Sequence, residues 1–128
     1  MKKWNLPLTY EPKIQPVIDG HCRQTIRKGR KFHIGDWVRF YLWEGKPYRS
    51  KRKTITVYFE LDTVQDIIIS PFGFGFEISD AISWNHPIAR LISKLDGIVP
   101  PTGEALRDVL MSKNKIPTFG IEGQIIRW

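Results

Sequence analysis

Hydrophobic and polar residues alternate in the middle of the chain, which predicts β-strands there. Trp37–Trp43 is rich in aromatic and β-branched residues, and turn residues bound it on both sides. Residues 54–61 place Ile55, Val57, Phe59 and Leu61 on one side and polar residues on the other, as in a half-buried strand. Further strands are predicted at residues 23–27, 64–69 and 119–128.

A helical spacing of apolar residues appears in three other segments. Residues 12–19 predict a short helix that ends at Gly20, a residue suited to a left-handed C-terminal cap. Pro87 suits the first position of a second helix that ends at Gly97. Thr102 can cap a third. The residues expected to face inward are Ile14, Val17 and Ile18 in the first helix, Ile88, Leu91, Ile92 and Leu95 in the second, and Leu106, Val109 and Leu110 in the third.

Together these elements predict an α+β, β-rich domain. A chain of 128 residues is most simply one domain, residues 1–128. Several short strands at close spacing favour a small barrel with two or three packed helices, because closure removes exposed sheet edges. A lone cysteine excludes an internal disulfide, and no apolar run approaches the roughly 20 residues that span a bilayer. We therefore expect a cytoplasmic protein with no membrane partner, and a monomer is favoured.

Positive charge is concentrated in two short segments. The net charge is +7, and half of the 20 basic residues lie in residues 23–31 and 46–53, which contain no acidic residue. Clustering of this kind is typical of proteins that bind a polyanion, although a solvated loop would have the same composition. The three histidines and one cysteine show no zinc-binding spacing, so the sequence predicts no metal and no cofactor.

Residues 20–27 combine a turn glycine with a thiol, a hydroxyl and two arginines, and Gly35-Asp36 opens the next strand. Gly20, Thr25, Ile26 and Arg27, followed by that Gly-Asp pair, resemble the pattern Gly-x-Lys-x-x-Thr-Ile-Arg…Gly-Asp of the ASCH domain family. Residues 95–98 are similar to the family's acidic-Gly-aromatic turn between two helices, so the resemblance extends over about residues 12–128. Residues 43–50 resemble an insertion in short members encoded by bacterial viruses.

The ASCH resemblance implies a PUA-like β-barrel that recognises RNA or ligands of nucleotide size. Some small members are amidohydrolases that remove the acetyl group from acetylated cytidine by means of a lysine, a threonine, an arginine and an acid. By position the threonine becomes Thr25, the arginine Arg27 and the acid Asp96. In that chemistry a lysine amine activates the threonine hydroxyl and the arginine stabilises the oxyanion.

Cys22 occupies the position of the family's lysine, and a thiol cannot replace an amine as base. Three alternatives remain open. Cys22 is itself the nucleophile, with a pKa lowered by Arg27, His21 or His33; a lysine from another loop fills the gap; or the cleft only binds its ligand. Enzymatic activity is therefore undecided from sequence.

Aromatic residues are interleaved with the basic ones, as required for binding RNA phosphates by charge and bases by stacking. The sequence predicts RNA or nucleic-acid binding, or binding of a modified nucleoside, in a cleft floored by Thr25 and Arg27. Alternatives are the amidohydrolase and a protein-interaction or inhibitor module that uses the basic loops. The candidate nucleic-acid-binding residues are Arg23, Arg27, Lys28, Arg30, Lys31, Trp43, Tyr48, Arg49, Lys51 and Arg52.

Overall fold

The computed structural model describes residues 1–29, 31–76, 82–113, 115–117 and 120–128, so the candidate residue Arg30 and the predicted strand start at residue 119 lie outside the described residues. Within the described ranges, strands and helices follow in the order β1 (Lys3–Pro7), α1 (Glu11–Asp19), β2 (Gln24–Lys28), β3 (Trp37–Trp43), β4 (Arg52–Thr54), β5 (Phe59–Glu60), β6 (Thr63–Ser70), β7 (Gly73–Gly75), β8 (Ile82–Ser83), α2 (Pro87–Leu95), α3 (Gly103–Lys113) and β9 (Ile121–Arg127). The fold is α+β and β-rich, as predicted.

The strands form two sheets. In the first, β3 lies in the centre, with β1 parallel on one side and β4 and β5 antiparallel on the other. The second is antiparallel in the order β2-β9-β6-β7-β8. Along the described chain these sheets do not close into one hydrogen-bonded barrel, which differs from the closed barrel predicted from strand spacing.

The two sheets are continuous at one corner and open at the other. Where the chain passes from β5 to β6, the Leu61 amide donates to the Asp36 carbonyl at 2.8 Å and the Asp62 amide to the Arg127 carbonyl at 3.0 Å. On the opposite side, a side chain links β1 to β2: Arg27 Nη2 donates to the Pro7 carbonyl at 2.7 Å. A cleft occupies the gap between β1 and β2 on this side.

Two apolar clusters lie on opposite faces of the second sheet. Ile126 of β9 belongs to the cluster between the sheets, with Leu6, Val38 and Phe40. Its neighbour Ile125 belongs to the cluster beneath the helices. Adjacent residues of a strand point to opposite faces, so β9 contributes to both clusters and forms the wall between them.

The predicted strand 54–61 is wrong as one continuous element. β3 pairs Tyr41 with Thr54 and Val38 with Phe59, so four residues, 55–58, lie opposite two residues of β3. The Thr56 hydroxyl accepts a hydrogen bond from the Phe40 amide at 2.9 Å, in the place of a backbone carbonyl. The segment therefore bulges, and Val57, expected to be buried, is 72% exposed.

The three helices begin and end close to the predicted residues. Gly20 caps α1 with φ 81°, and the Thr102 hydroxyl accepts from the Ala105 amide at the start of α3. No helix in the described chain has the length and apolar character needed to cross a membrane.

The inward face of α2 differs from the prediction. Ile88 and Leu91 are exposed, whereas Ala89, Ile92 and Ser93 are buried. The reason is the close approach of α3: a Cβ on Gly103 would lie 2.9 Å from the Ala89 side chain. Small residues therefore decide which side of α2 packs against its neighbour.

Candidate functional site

A cleft of about 500 Å³ lies between the end of β1 and the edge strand β2, a volume typical of sites for small ligands. The start of α1, the turn after α2 and one face of α3 complete its walls. It is lined by residues 7–10, Lys13, residues 25–29, Tyr48, Asp96, Ile98, Val109 and Leu110.

Strand β2 brings two of the candidate residues to the floor of the cleft. Thr25 and Arg27 are two residues apart, so they share one side of the strand, and both line the cleft. Thr25 is buried, and within the described residues its hydroxyl makes no hydrogen bond. Arg27 is held by the bond of its Nη2 to the Pro7 carbonyl. The two residues predicted to form a cleft floor therefore line one cavity.

Opposite them lies a buried ion pair. Lys13 Nζ, from α1, is 3.2 Å from Asp96 Oδ2, and both side chains are at least nine-tenths buried. Burial raises the pKa of Asp96, while the Lys13 ammonium and the Arg27 guanidinium oppose that shift. The second oxygen, Oδ1, is buried with no hydrogen-bond partner in the described chain. The cleft is therefore lined by a threonine hydroxyl, the three cations Lys13, Arg27 and Lys28, and a carboxylate.

Lys13 was not predicted as a site residue from the sequence. The sequence left open that a lysine from another loop takes the role of the family's lysine, whose position is occupied by Cys22. A signal was present. Lys13 is four residues before Val17, and positions i and i+4 of a helix share one face. Val17 is fully buried, so the helical period alone would have placed the lysine on the buried side of α1.

Cys22 is buried and is not among the cleft-lining residues. Its Sγ lies 3.6 Å from the carbonyls of Gln24 and Leu95. Burial raises the pKa of the Cys22 thiol, and the nearby Lys13 opposes the shift. A nucleophilic Cys22 requires a lowered pKa, so the structure provides the opposite of what that alternative needs.

Both basic segments contribute to the wall of the cleft, the first through Arg27 and Lys28 and the second through the uncharged Tyr48. Arg23, Arg49 and Lys51 are exposed but do not line the cleft. Lys31 is also outside it, and its Nζ lies 3.5 Å from the Asp66 carboxylate, which partly neutralises its charge.

The aromatic residues at the end of β3 and in the loop after it form a connected group. The Trp43 ring lies 5.2 Å from that of Tyr48, and Arg52 Cζ lies 5.2 Å from the Trp43 ring. Tyr48 is 84% exposed and has φ 64°, an unusual backbone conformation for a bulky residue. These three candidates therefore extend from the cleft mouth onto the first sheet.

Asp36 organises the turn that precedes β3. Its carboxylate accepts hydrogen bonds from the Trp4 indole and from the amides of Lys2 and His33, at 3.1–3.2 Å. Partial burial on its own would raise the pKa of Asp36, but these bonds outweigh it and the pKa is lowered. Asp36 lies outside the cleft and joins β1 to the turn.

Comparison of the chain with protein-family models, with curated proteins and with solved structures finds no match.

Proposed function

We propose that the protein binds RNA, with a nucleotide or a modified nucleoside held in the cleft, as an ASCH-like domain related to PUA-like folds. The observation that carries this proposal is a single cavity in which Thr25, Arg27 and Lys28 of one basic segment share the lining with the Tyr48 ring from the other. Cations meet phosphates, and an exposed tyrosine ring can stack on a base. The cleft's volume suits one nucleoside.

A titration of short RNA against salt concentration tests the proposal. Affinity should fall steeply with salt, because each phosphate contact releases counterions, about 0.7 in the log–log slope per contact for single strands. Thr25→Val combined with Lys28→Gln should weaken binding of RNA and of cytidine monophosphate. Arg90→Gln with Lys94→Gln, which removes two exposed charges on α2, is the control. A flat salt response, or equal losses in both variants, contradicts the proposal.

A second candidate function, amidohydrolysis of an acylated cytidine, is favoured by one observation: Lys13, Thr25, Arg27 and Asp96 line the same cleft. In this proposal Lys13 performs the role that the resemblance assigns to a lysine at residue 22. In this mechanism the Lys13 amine, in its neutral form, accepts the Thr25 proton as the hydroxyl attacks the acyl carbonyl, and Arg27 stabilises the oxyanion. The same proton passes to the cytidine nitrogen as its bond to the acyl carbon breaks, and water then hydrolyses the acetyl ester on Thr25 to acetate.

Turnover of acetylated cytidine separates this candidate from binding alone. We expect release of acetate by the native protein, and its loss in Thr25→Val and in Lys13→Met. Cys22→Ala should retain turnover, because the thiol does not line the cleft. If no acetate is released at high protein concentration, the cleft is a binding site only; if Cys22→Ala alone abolishes turnover, the thiol is the nucleophile.

A further inference from the structure

The outer face of the first sheet carries cations stacked on aromatic rings. β3 alternates, so Val38 and Phe40 enter the core while Arg39, Tyr41 and Trp43 point to the other side. Strand register places further residues of β1 and β4 beside them. We call this set the cation–aromatic face: Lys3, Arg39, Tyr41, Trp43, Arg52 and Tyr58.

The cations of this face lie directly over rings. Arg39 Cζ is 4.7 Å and Lys3 Nζ 5.2 Å from the centre of the Tyr58 ring. Arg52 Cζ is 4.7 Å from the Tyr41 ring. Tyr41 is only 5% exposed although it points outward, whereas Arg52 is exposed. The Arg52 guanidinium is therefore an outermost group of the face, held in place by the rings beneath it.

These charges are not neutralised by carboxylates. The ion pairs found in the described chain involve none of Lys3, Arg39 and Arg52. The register places Glu60 beside Trp37, at the far end of β3. The positive charges between Arg39 and Trp43 attract a polyanion, whereas the negative charge of Glu60 beside Trp37 repels it. The charge pattern therefore limits where along β3 a polyanion can bind.

The cation–aromatic face is continuous with the cleft. The Trp43 and Tyr48 rings are 5.2 Å apart, and Tyr48 is both largely exposed and part of the cleft wall. A chain of nucleotides that leaves the cleft past Tyr48 meets Trp43 and Arg52 next, and Arg39 after them. From Trp43 to Arg39 the strand extends about 13 Å, which gives an unstacked strand room for at least one further nucleotide.

We propose that the cation–aromatic face binds single-stranded RNA, as the continuation of the strand whose nucleotide occupies the cleft. Arg52 and Arg39 contact successive phosphates, and the rings of Tyr48 and Trp43 stack on bases. This inference rests on the proposed function in its choice of partner. In a duplex the bases are already stacked on each other and are not available to stack on the rings, so the face selects unpaired strands.

Binding of a fluorescent 12-nucleotide oligouridine at several salt concentrations tests this inference. Arg39→Gln with Arg52→Gln should weaken binding about tenfold or more and reduce the log–log salt slope by about 0.7 per lost contact. The control, Arg90→Gln with Lys94→Gln, removes the same charge from α2 and should change affinity less than threefold. An RNA duplex of the same length should bind the native protein more weakly than the single strand.

A second variant leaves the strands of the sheet unchanged, so a loss of binding in it cannot be attributed to a misfolded sheet. Tyr48→Asn removes an exposed ring from a loop, and asparagine tolerates positive φ better than other residues with side chains do. It should weaken oligouridine binding several-fold while the thermal unfolding midpoint stays unchanged.

Each outcome separates the face from the cleft. If the Arg39/Arg52 variant and its control lose affinity equally, if neither loses any, or if the duplex binds as well as the single strand, the inference about the face is overturned. If the Thr25/Lys28 variant loses cytidine monophosphate and oligouridine while the Arg39/Arg52 variant loses neither, the cleft function stands without the face. If only the Arg39/Arg52 variant loses oligouridine, the face binds RNA and the cleft function fails.

Discussion

Lys13 and Asp96 form an ion pair whose burial inside a small protein is energetically unfavourable. Moving both charges out of water costs more than an exposed ion pair returns, and burial raises the pKa of Asp96 as a result. Two apolar residues of similar size would fill the same space without that cost. The pair therefore indicates a site at which charge is used, and the cleft that it lines is the place where a ligand would meet it.

Breaking the pair from one side should cost more than removing it whole. Lys13→Met leaves a buried carboxylate and Asp96→Asn leaves a buried ammonium, so each should lower the free energy of unfolding by about 3 kcal/mol. The double variant leaves neither charge and should lose less than either single one. Urea unfolding of the four proteins measures this coupling. Additive losses would show that the two charges do not depend on each other.

At the scale of elements, β1 is attached to the molecule through three kinds of contact. It pairs in parallel with β3, Arg27 reaches its last carbonyl, and Asp36 accepts bonds from Lys2 and Trp4 at its beginning. Parallel pairing to a single neighbour is weak support for an edge strand. The Asp36 carboxylate therefore fixes the position of β1, and with it one wall of the cleft.

Lowering the pH should weaken the attachment of β1 through the Asp36 carboxylate. Because its pKa is lowered by folding, Asp36 contributes stability above its unfolded pKa of about 3.9, and the contribution is lost as the pH falls through the folded value. The native protein should lose unfolding free energy below about pH 4, and Asp36→Asn should flatten that dependence. Asp66→Asn is the matched control: the pKa of Asp66 is lowered by the bond from Gln124, but this carboxylate is about two-thirds exposed, so the change should be smaller. Equal flattening in both would contradict the assignment.

Elements with a strong local pattern could be predicted, and those decided by contacts between elements could not. Trp37–Trp43 occurs as predicted because alternation, β-branched residues and turns agree. The bulge at residues 55–58 depends on one hydroxyl, Thr56, that meets a strand sixteen residues away. Likewise Thr25 and Arg27 could be placed together because their motif lies on one strand. The contact of Lys13 with Asp96 could not be predicted, because it joins residues 83 positions apart in the sequence.

For the whole molecule, the open side of the two sheets is the feature that makes a ligand site possible. At the corner near Leu61 the chain passes directly from one sheet into the other and its amides bond to both, and at the other corner the Arg27 guanidinium spans the gap between β1 and β2. A closed barrel of this size would be filled by its own side chains. Leaving one side open exposes the floor, Thr25 and Arg27, to the cleft.

Arg27 should therefore hold the open side together. Arg27→Met removes a charge-assisted hydrogen bond to Pro7, the kind worth about 1.5–3 kcal/mol, so local opening between β1 and β2 should become at least tenfold more frequent. Native-state amide exchange measures this at residues 3–6 and 24–28. The amides of Leu61 and Asp62, at the continuous corner, should lose less protection, because separating β1 from β2 does not break their hydrogen bonds. Arg23→Met, an exposed cation just before β2, is the control and should change neither set. Equally faster exchange at both corners would mean that Arg27 stabilises the fold as a whole and not the contact between β1 and β2 in particular.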